Sequence, residues 1–341
     1  MAVTTGYLPH IWAKAWVIAC WLVANFLQAS FQTSLHQGRA CELKPLFALL
    51  ARSRYGQGAG TVKTLGQLAK GTMQRLAVIP AKSLPLPVGA EIIEKLSKDM
   101  VTVVPIGEQS ILFYTPTPLL RSRAASTLSK EIDMVRWIDT FEANSVFWDV
   151  GANVGTYSLY ASIKRDVSVL AFEPSASNYH VLTKNIVINN LQRRANAYCL
   201  AFSGATELAT MNLGSVELGS AINHFGKIGE MSPYWTGQGD VATHGMLGFT
   251  IDDFVERFRP PFPAYLKIDV DGLESRILEG AIGLLSDRRL RSVMVELSIV
   301  HAEERENTVA RMNECDFRLV GEGESQWSGH EAAANHLFER S

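Results

Sequence analysis

The chain is expected to fold as an α/β protein with a doubly wound, mostly parallel sheet. Three observations predict this. Short apolar runs rich in β-branched and aromatic residues alternate with stretches of helical spacing from Val146 onward, the pattern of successive βαβ units. The run Val146 to Val150 leads into Gly151-Ala-Asn-Val-Gly155, and then Thr156 with Leu159, Tyr160 and Ile163 at helical spacing. A strand, a tight glycine turn and a helix make a nucleotide-type binding corner at the carboxyl end of a parallel strand. The closing pair of apolar runs, Phe317 to Val320 and His336 to Phe338, suggests an antiparallel edge.

Taken in order, residues 1–95 read as a mainly helical accessory arm. Gly56, Gly58 and Gly60 form one link in it, and Pro80, Pro85 and Pro87 another,. Within residues 1–75, eight Lys and Arg face a single acid, Glu42, a charge of +7; the whole chain carries −2, so the remainder carries −9. A basic arm on an acidic body points to an anionic surface. The uncharged stretch from Ala15 to Gly38 is interrupted by Asn25, Gln28, Gln32 and Ser34, which disfavours a spanning helix against the roughly 20 apolar residues one needs. A helix bearing Trp12, Trp16 and Trp21 either lies in a membrane interface or docks on the body. Cys20, Cys41, Cys199 and Cys315 show no Cys-x-x-Cys spacing, and a reducing, cytoplasmic setting is the plain reading.

Residues 96–341 are expected to form the second domain. Val101 to Val104 and Ser110 to Tyr114 read as a hairpin turning at Pro105-Ile-Gly-Glu108, since Pro105 would be out of place inside a strand. Pro116 and Pro118 end the second strand, and Ser129 to Phe141 is an amphipathic helix with Met134, Trp137 and Ile138 on one face. After the glycine corner come a strand at Val167 to Phe172, a helix at Asn178 to Asn190, a strand at Ala197 to Phe202 and one at Leu208 to Leu213. Gly214 to Gly248 is too long for an ordinary connection and is expected to shape a substrate site. Thr250 to Arg257 is a capped helix, Ala264 to Val270 a strand, Leu273 to Leu285 a helix, Val293 to Leu297 a strand and His301 to Glu314 a charged helix.

The glycine pattern selects the ligand. A dinucleotide turn reads Gly-x-Gly-x-x-Gly, its second glycine letting backbone touch a pyrophosphate; here that position is Asn153. Its Cβ would crowd a pyrophosphate but not a ligand without phosphate, and its amide could bond an amino-acid carboxylate. Asp149 is an acceptor suited to an ammonium group. Glu173 ends the next strand 22 residues past Gly151, where such folds place the carboxylate that accepts ribose hydroxyls. The turn at Ser203 could sit beside an adenine. This combination suits S-adenosyl-L-methionine better than NAD.

These residues also resemble the FkbM-type methyltransferases, S-adenosyl-L-methionine-dependent enzymes of the class I, Rossmann-like fold. The matches are Phe147-Trp-Asp-Val-Gly-Ala-Asn-Val-Gly-Thr-Tyr-Ser158; Phe172-Glu-Pro174 with Asn178, Leu182, Asn185 and Asn189; and Thr250-Ile-Asp-Asp-Phe254. Leu266-Lys-Ile-Asp-Val-Asp-Gly-Leu-Glu274, Ile277-Leu-Glu-Gly-Ala281, Glu296 and Asn335-His-Leu-Phe338 follow in order. Asp271 departs from the glutamate more usual there. The resemblance implies a seven-stranded sheet with a reversed last strand and methyl transfer, usually to oxygen. The cofactor is accordingly assigned to Asp149, Gly151, Asn153, Gly155, Tyr157, Glu173, Pro174, Ser203 and Asp269.

Methyl transfer from a sulfonium is mostly a matter of positioning, and an acceptor hydroxyl also needs a base. Asp269, at a strand end near the expected methyl, is the first candidate for the active site; His224 and His244 in the long loop are the others. Asp269, Asp271 and Glu296 could hold a divalent ion or cap backbone amides; no metal is assigned. Phe225, Tyr234 and Trp235 could stack on a sugar ring. The expected acceptor is a hydroxyl of a glycan, glycolipid or secondary metabolite, with peripheral membrane contact through the arm. Nucleic acid is disfavoured by the acidic body. An NAD(P)-dependent reductase of similar fold and a non-catalytic membrane-associated module are the alternatives.

Overall fold

The computed structural model describes residues 90–91, 94–97, 99–232, 242–323 and 333–341, all within the compact unit Leu86–Ser341. The expected helices of the arm up to residue 89, its tryptophans, and the loop aromatics Tyr234 and Trp235 lie outside the described residues.

Strands β1 (Val101–Ile106) and β2 (Gln109–Tyr114) form the expected hairpin. Its turn is tighter than expected, and Pro105 stands inside β1 opposite Ser110. β1 is paired on one side only, and a proline is tolerated on such an open edge. Helix α1 (Pro118–Ser126) was not expected from the sequence. Pro118 occupies its first turn, where no N–H is needed, and the Thr117 hydroxyl accepts the Leu120 amide at 3.2 Å,. Helix α2 (Ile132–Ile138) buries Met134, Trp137 and Ile138 as expected. It begins after Glu131, so Lys130 and Glu131 belong to the α1–α2 link.

The doubly wound part follows: β3 (Val146–Val150), α3 (Thr156–Arg165), β4 (Ser168–Phe172), α4 (Ala176–Ile188) and β5 (Ala195–Tyr198). The single strand expected over Ala197 to Phe202 is two, because β6 (Ala201–Phe202) leaves for a second sheet. With β7 (Glu207–Leu213), β8 (Asn223–Gly226) and β9 (Ala242–Phe249) it makes a four-stranded sheet in the order β6-β9-β7-β8. Two parts of the expected Gly214–Gly248 loop, Asn223–Gly226 and the run from Ala242, are therefore strand. The chain continues through α5 (Ile251–Phe258), capped by Thr250, and β10 (Tyr265–Ile268). The helix expected over Leu273 to Leu285 is broken into α6 (Glu274–Glu279) and α7 (Ile282–Ser286) at Gly280. A Cβ at Gly280 would press on the Ser203 carbonyl and Thr250 at 2.9 Å. Last come β11 (Ser292–Ser298), α8 (Ala302–Glu314), β12 (Phe317–Glu322) and β13 (Ala333–Arg340).

The main sheet has seven strands in the order β12-β13-β11-β10-β3-β4-β5, and only β13 runs against its neighbours. The pleat sends alternate residues of β3 to opposite faces. Trp148 joins an apolar core with Phe172, Phe202 and Phe254, while Phe147 joins another with Trp137, Phe141 and Tyr265. Burying each such side chain contributes about 1.5–3 kcal/mol. Two covered faces hold β3, β4 and β10 rigid, and all three end on the same side, where β3 passes into the glycine turn.

Candidate active site

A cavity of about 370 Å³ opens at those strand ends, within the roughly 300–1,000 Å³ of small-molecule sites. Its floor is the glycine turn. Gly151 has φ 80°, and a Cβ there would run into the Asp269 carbonyl. The glycine is thus needed where β3 and β10 end against each other. Gly155, at φ 86°, faces the Leu182 side chain and does not line the cavity.

Beside the floor lies Lys267, which lines the cavity and is almost wholly buried. Its ammonium forms ion pairs with Asp149 Oδ1 at 3.2 Å and Asp269 Oδ2 at 3.1 Å and donates a hydrogen bond to the Gly151 carbonyl at 3.3 Å. Burial opposes the charge, but Asp269, Asp149 and Glu131 outweigh it and hold the Lys267 pKa well above the usual lysine range. Asp149 also accepts the Ser158 hydroxyl at 2.6 Å. The expectation for Asp149 needs correcting: it holds an ammonium, but that of Lys267, and it does not line the cavity.

Glu173 lines the cavity, with its carboxylate fixed by backbone. The Asn153 amide donates to Oε2 and the Ser175 amide to Oε1, both at 2.8 Å. Burial nevertheless raises its pKa to about 7. The Asn153 side chain donates to the Ser220 carbonyl at 2.9 Å. Its Oδ1 and that of Asn223 are buried with no hydrogen-bond partner among the described residues, and both residues line the cavity. Tyr157, Pro174 and Asp269 line it too, as do the apolar groups Phe172, Leu200 and Phe202. Ser203 does not; it is buried, and its amide donates to the Phe249 carbonyl.

Opposite Glu173 the wall is charged. Asp269, Glu296, Glu131 and Lys130 meet there from β10, β11 and the α1–α2 link. Glu131 takes the Lys130 ammonium at 3.0 Å and the Asn335 amide at 3.4 Å, and burial together with Glu131 pushes the Tyr157 hydroxyl well above its usual pKa. Burial raises the Asp269 pKa, but Lys267 and Lys130 prevail and leave it below the usual range. Burial, and then Asp269, Glu131, Glu274 and Asp271, push Glu296 well above it. Asp271, in a left-handed conformation at φ 61°, accepts the Ile222 amide at 2.7 Å and the Asn223 amide at 3.4 Å. It ties β8 to the end of β10. The described residues contain no group of three or more His, Cys, Asp or Glu placed to hold a metal.

His224 and His244 are away from the cavity and are not placed to take a proton there. Both belong to the four-stranded sheet, opposite Asn212 and Met211 respectively. Burial lowers the His224 pKa, and neither of its ring nitrogens has a partner among the described residues. Lys130, Glu131 and Arg123 also line the cavity and were not among the residues expected there. Thr117-Pro118 was the available signal, because capping α1 there brings Arg123 and the following link to the site.

Residues 149–319 match the Methyltransferase FkbM domain family. Over 171 residues the chain is 27% identical to a protein of Haloferax volcanii named hexuronic acid methyltransferase AglP, covering 50% of this chain and 63% of that one. The chain therefore spans less than two thirds of that relative's length. Among solved structures, the methyltransferase FkbM of Methylobacillus flagellatus aligns over 64% of this chain and 53% of its own, with 14% identity and a TM-score of 0.39. TYW2 of P. horikoshii, solved with MeSAdo, aligns over 71% of each chain with 12% identity and a TM-score of 0.38.

Proposed function

The chain belongs to the FkbM methyltransferase family, and from that we propose that it transfers a methyl group from S-adenosyl-L-methionine to a hydroxyl oxygen of a saccharide acceptor. The observation that carries the reading is the division of the cavity. One end offers the fixed Glu173 carboxylate beside the apolar Phe172, Leu200 and Phe202; the other offers the Asp269–Glu296–Glu131 wall. A ribose diol, an adenine and a cationic methionine group need those three environments. The orphaned Asn153 and Asn223 oxygens also favour a ligand rich in N–H and O–H donors.

When bound, the cofactor supplies a methyl carbon already activated by positive sulfur. The protein's part is to hold the acceptor in line with that carbon and to receive its proton. Glu173 serves the ribose, Gly151 lets the floor close, and Lys267 fixes Asp269 at the methyl end. The saccharide class is supported by the name of the relative and by the polar wall of Lys130, Glu131 and Arg123. The reading is of a cytosolic protein whose basic arm touches an anionic membrane; no helix among the described residues is long and apolar enough to cross one. An NAD-dependent reductase fits less well. The Asn153 amide, which a phosphate would need, is taken by Glu173.

Titration calorimetry with each cofactor, followed by transfer of labelled methyl groups into fractionated cell extract, tests this. Binding of S-adenosyl-L-methionine and label in a glycosidase-sensitive fraction are expected. Tight NAD binding without S-adenosyl-L-methionine binding would overturn the cofactor; label confined to protein or nucleic acid would overturn the acceptor.

A further inference from the structure

Asp269 and Glu296 both line the cavity wall. The sheet puts them there. β10 and β11 are parallel, with Lys267 beside Met294 and Ile268 beside Val295, so the next step sets Asp269 beside Glu296. The pleat turns both to the face that carries Lys267. Two carboxyl groups side by side resist double ionisation, because like charges so close repel.

The surroundings decide who holds it. Asp269 has the Lys267 ammonium at 3.1 Å, with Lys130 also acting on it, and stays ionised. Glu296 is buried and faces Asp269, Glu131, Glu274 and Asp271, all of which favour its protonated form. Its neighbour across β13, Asn335, is neutral. Other candidates for a base are less suited: the Tyr157 hydroxyl is held protonated by burial and Glu131, Asp149 is engaged by Lys267 and Ser158, and Asp271 by the Ile222 and Asn223 amides.

We propose that Glu296 is the residue that takes the acceptor's hydroxyl proton, and that it is made ready by giving up its own proton when a cation enters the cavity. The inference rests on reading the cavity as an S-adenosyl-L-methionine site. A positive sulfonium beside the wall offsets the repulsion between Asp269 and Glu296, and Glu296 then ionises to solvent. As the acceptor oxygen bonds to the methyl carbon, the carbon–sulfur bond breaks with its electron pair going to sulfur, and the O–H proton passes to Glu296. One positive charge on sulfur and one negative charge on Glu296 disappear together, leaving Glu296 protonated again. Asp269 keeps its charge throughout and positions Glu296.

Binding alone tests this, without knowledge of the acceptor. Titration calorimetry of the full chain near pH 7, in two buffers of different ionisation enthalpy, reads the protons released. S-adenosyl-L-methionine is expected to release about one proton more than S-adenosyl-L-homocysteine, which has the same ribose, adenine and amino acid without the sulfonium. In Glu296→Gln that excess is expected to vanish, and about tenfold or more of the affinity for S-adenosyl-L-methionine with it, while binding of S-adenosyl-L-homocysteine is largely kept; Glu296→Asp, which keeps the carboxyl, is expected to retain the excess. An equal release by both ligands in the native chain, or an undiminished excess in Glu296→Gln, overturns the inference. Failure of S-adenosyl-L-methionine to bind the native chain would instead overturn the reading of the cavity.

Discussion

Lys267 is the residue on which the site's geometry depends most, because it joins the ends of β3 and β10 through Asp149, Asp269 and the Gly151 carbonyl. Replacing it by Met preserves much of its volume but leaves two carboxylates without their cation. Breaking a buried pair in this way costs about 3–5 kcal/mol, so Lys267→Met is expected to lower the denaturation midpoint sharply; a loss under 1 kcal/mol would show that Asp149 and Asp269 find other partners. Asp149 was expected to face a ligand's ammonium, and its partner in the fold is the Lys267 ammonium instead. Contacts between parallel strands join residues far apart in the chain, and no local pattern reveals them. Glu173 was legible because its place at a strand end follows from spacing alone, whereas its pKa was not. Glu173 and Glu274 are both raised by burial from 4.5 to about 7, so the folded state holds their protons more tightly than the unfolded chain. Their contribution is fully present below about pH 4.5 and is lost as pH rises to about 7, worth roughly 3 kcal/mol for Glu173. Asp269, depressed, acts in the opposite sense but only below its ordinary 3.8. Denaturation midpoints are therefore expected to fall between pH 5 and pH 8, and to fall less in Glu173→Gln.

Among the elements, the regular ones were legible and the irregular ones were not. β3, α3, β4 and α4 follow one another with clear changes of period, and the structure has them within two residues of expectation. The four-stranded sheet was hidden because β8 spans only Asn223–Gly226, too short for alternation to declare itself among glycines and serines. Its attachment to the site depends on Asp271, whose carboxylate holds the Ile222 and Asn223 amides. The shorter acid in place of the glutamate more usual in the family therefore has a task here, anchoring the segment that brings Asn223 to the cavity. Asp271→Ala removes an acceptor whose bonds are charge-assisted, each worth about 1.5–3 kcal/mol. Hydrogen exchange at the Ile222 and Asn223 amides is expected to quicken about tenfold or more, with the β3 and β4 amides unchanged. Unaltered protection at Ile222 would mean that β8 is held by its pairing with β7 alone.

At the scale of the molecule, the charge asymmetry bears on the proposed membrane contact. The main sheet and its cavity belong to the part of the chain that carries −9, while residues 1–75 carry +7. Near an anionic bilayer each basic residue contributes about 1 kcal/mol, enough in sum for several kcal/mol of attraction, whereas the acidic part is repelled. An acceptor carried on a membrane-bound carrier would then meet the protein with the arm against the lipid. This attraction must weaken with salt, because the Debye length shrinks from about 10 Å at 0.1 M to about 3 Å at 1 M. The full chain is therefore expected to sediment with vesicles containing phosphatidylserine at 0.05 M salt, to be released at 0.5 M, and to ignore vesicles of phosphatidylcholine. Equal binding to both vesicles would transfer the role from the basic residues to Trp12, Trp16 and Trp21. No sedimentation with either would remove the membrane from the proposal and leave a saccharide acceptor free in solution.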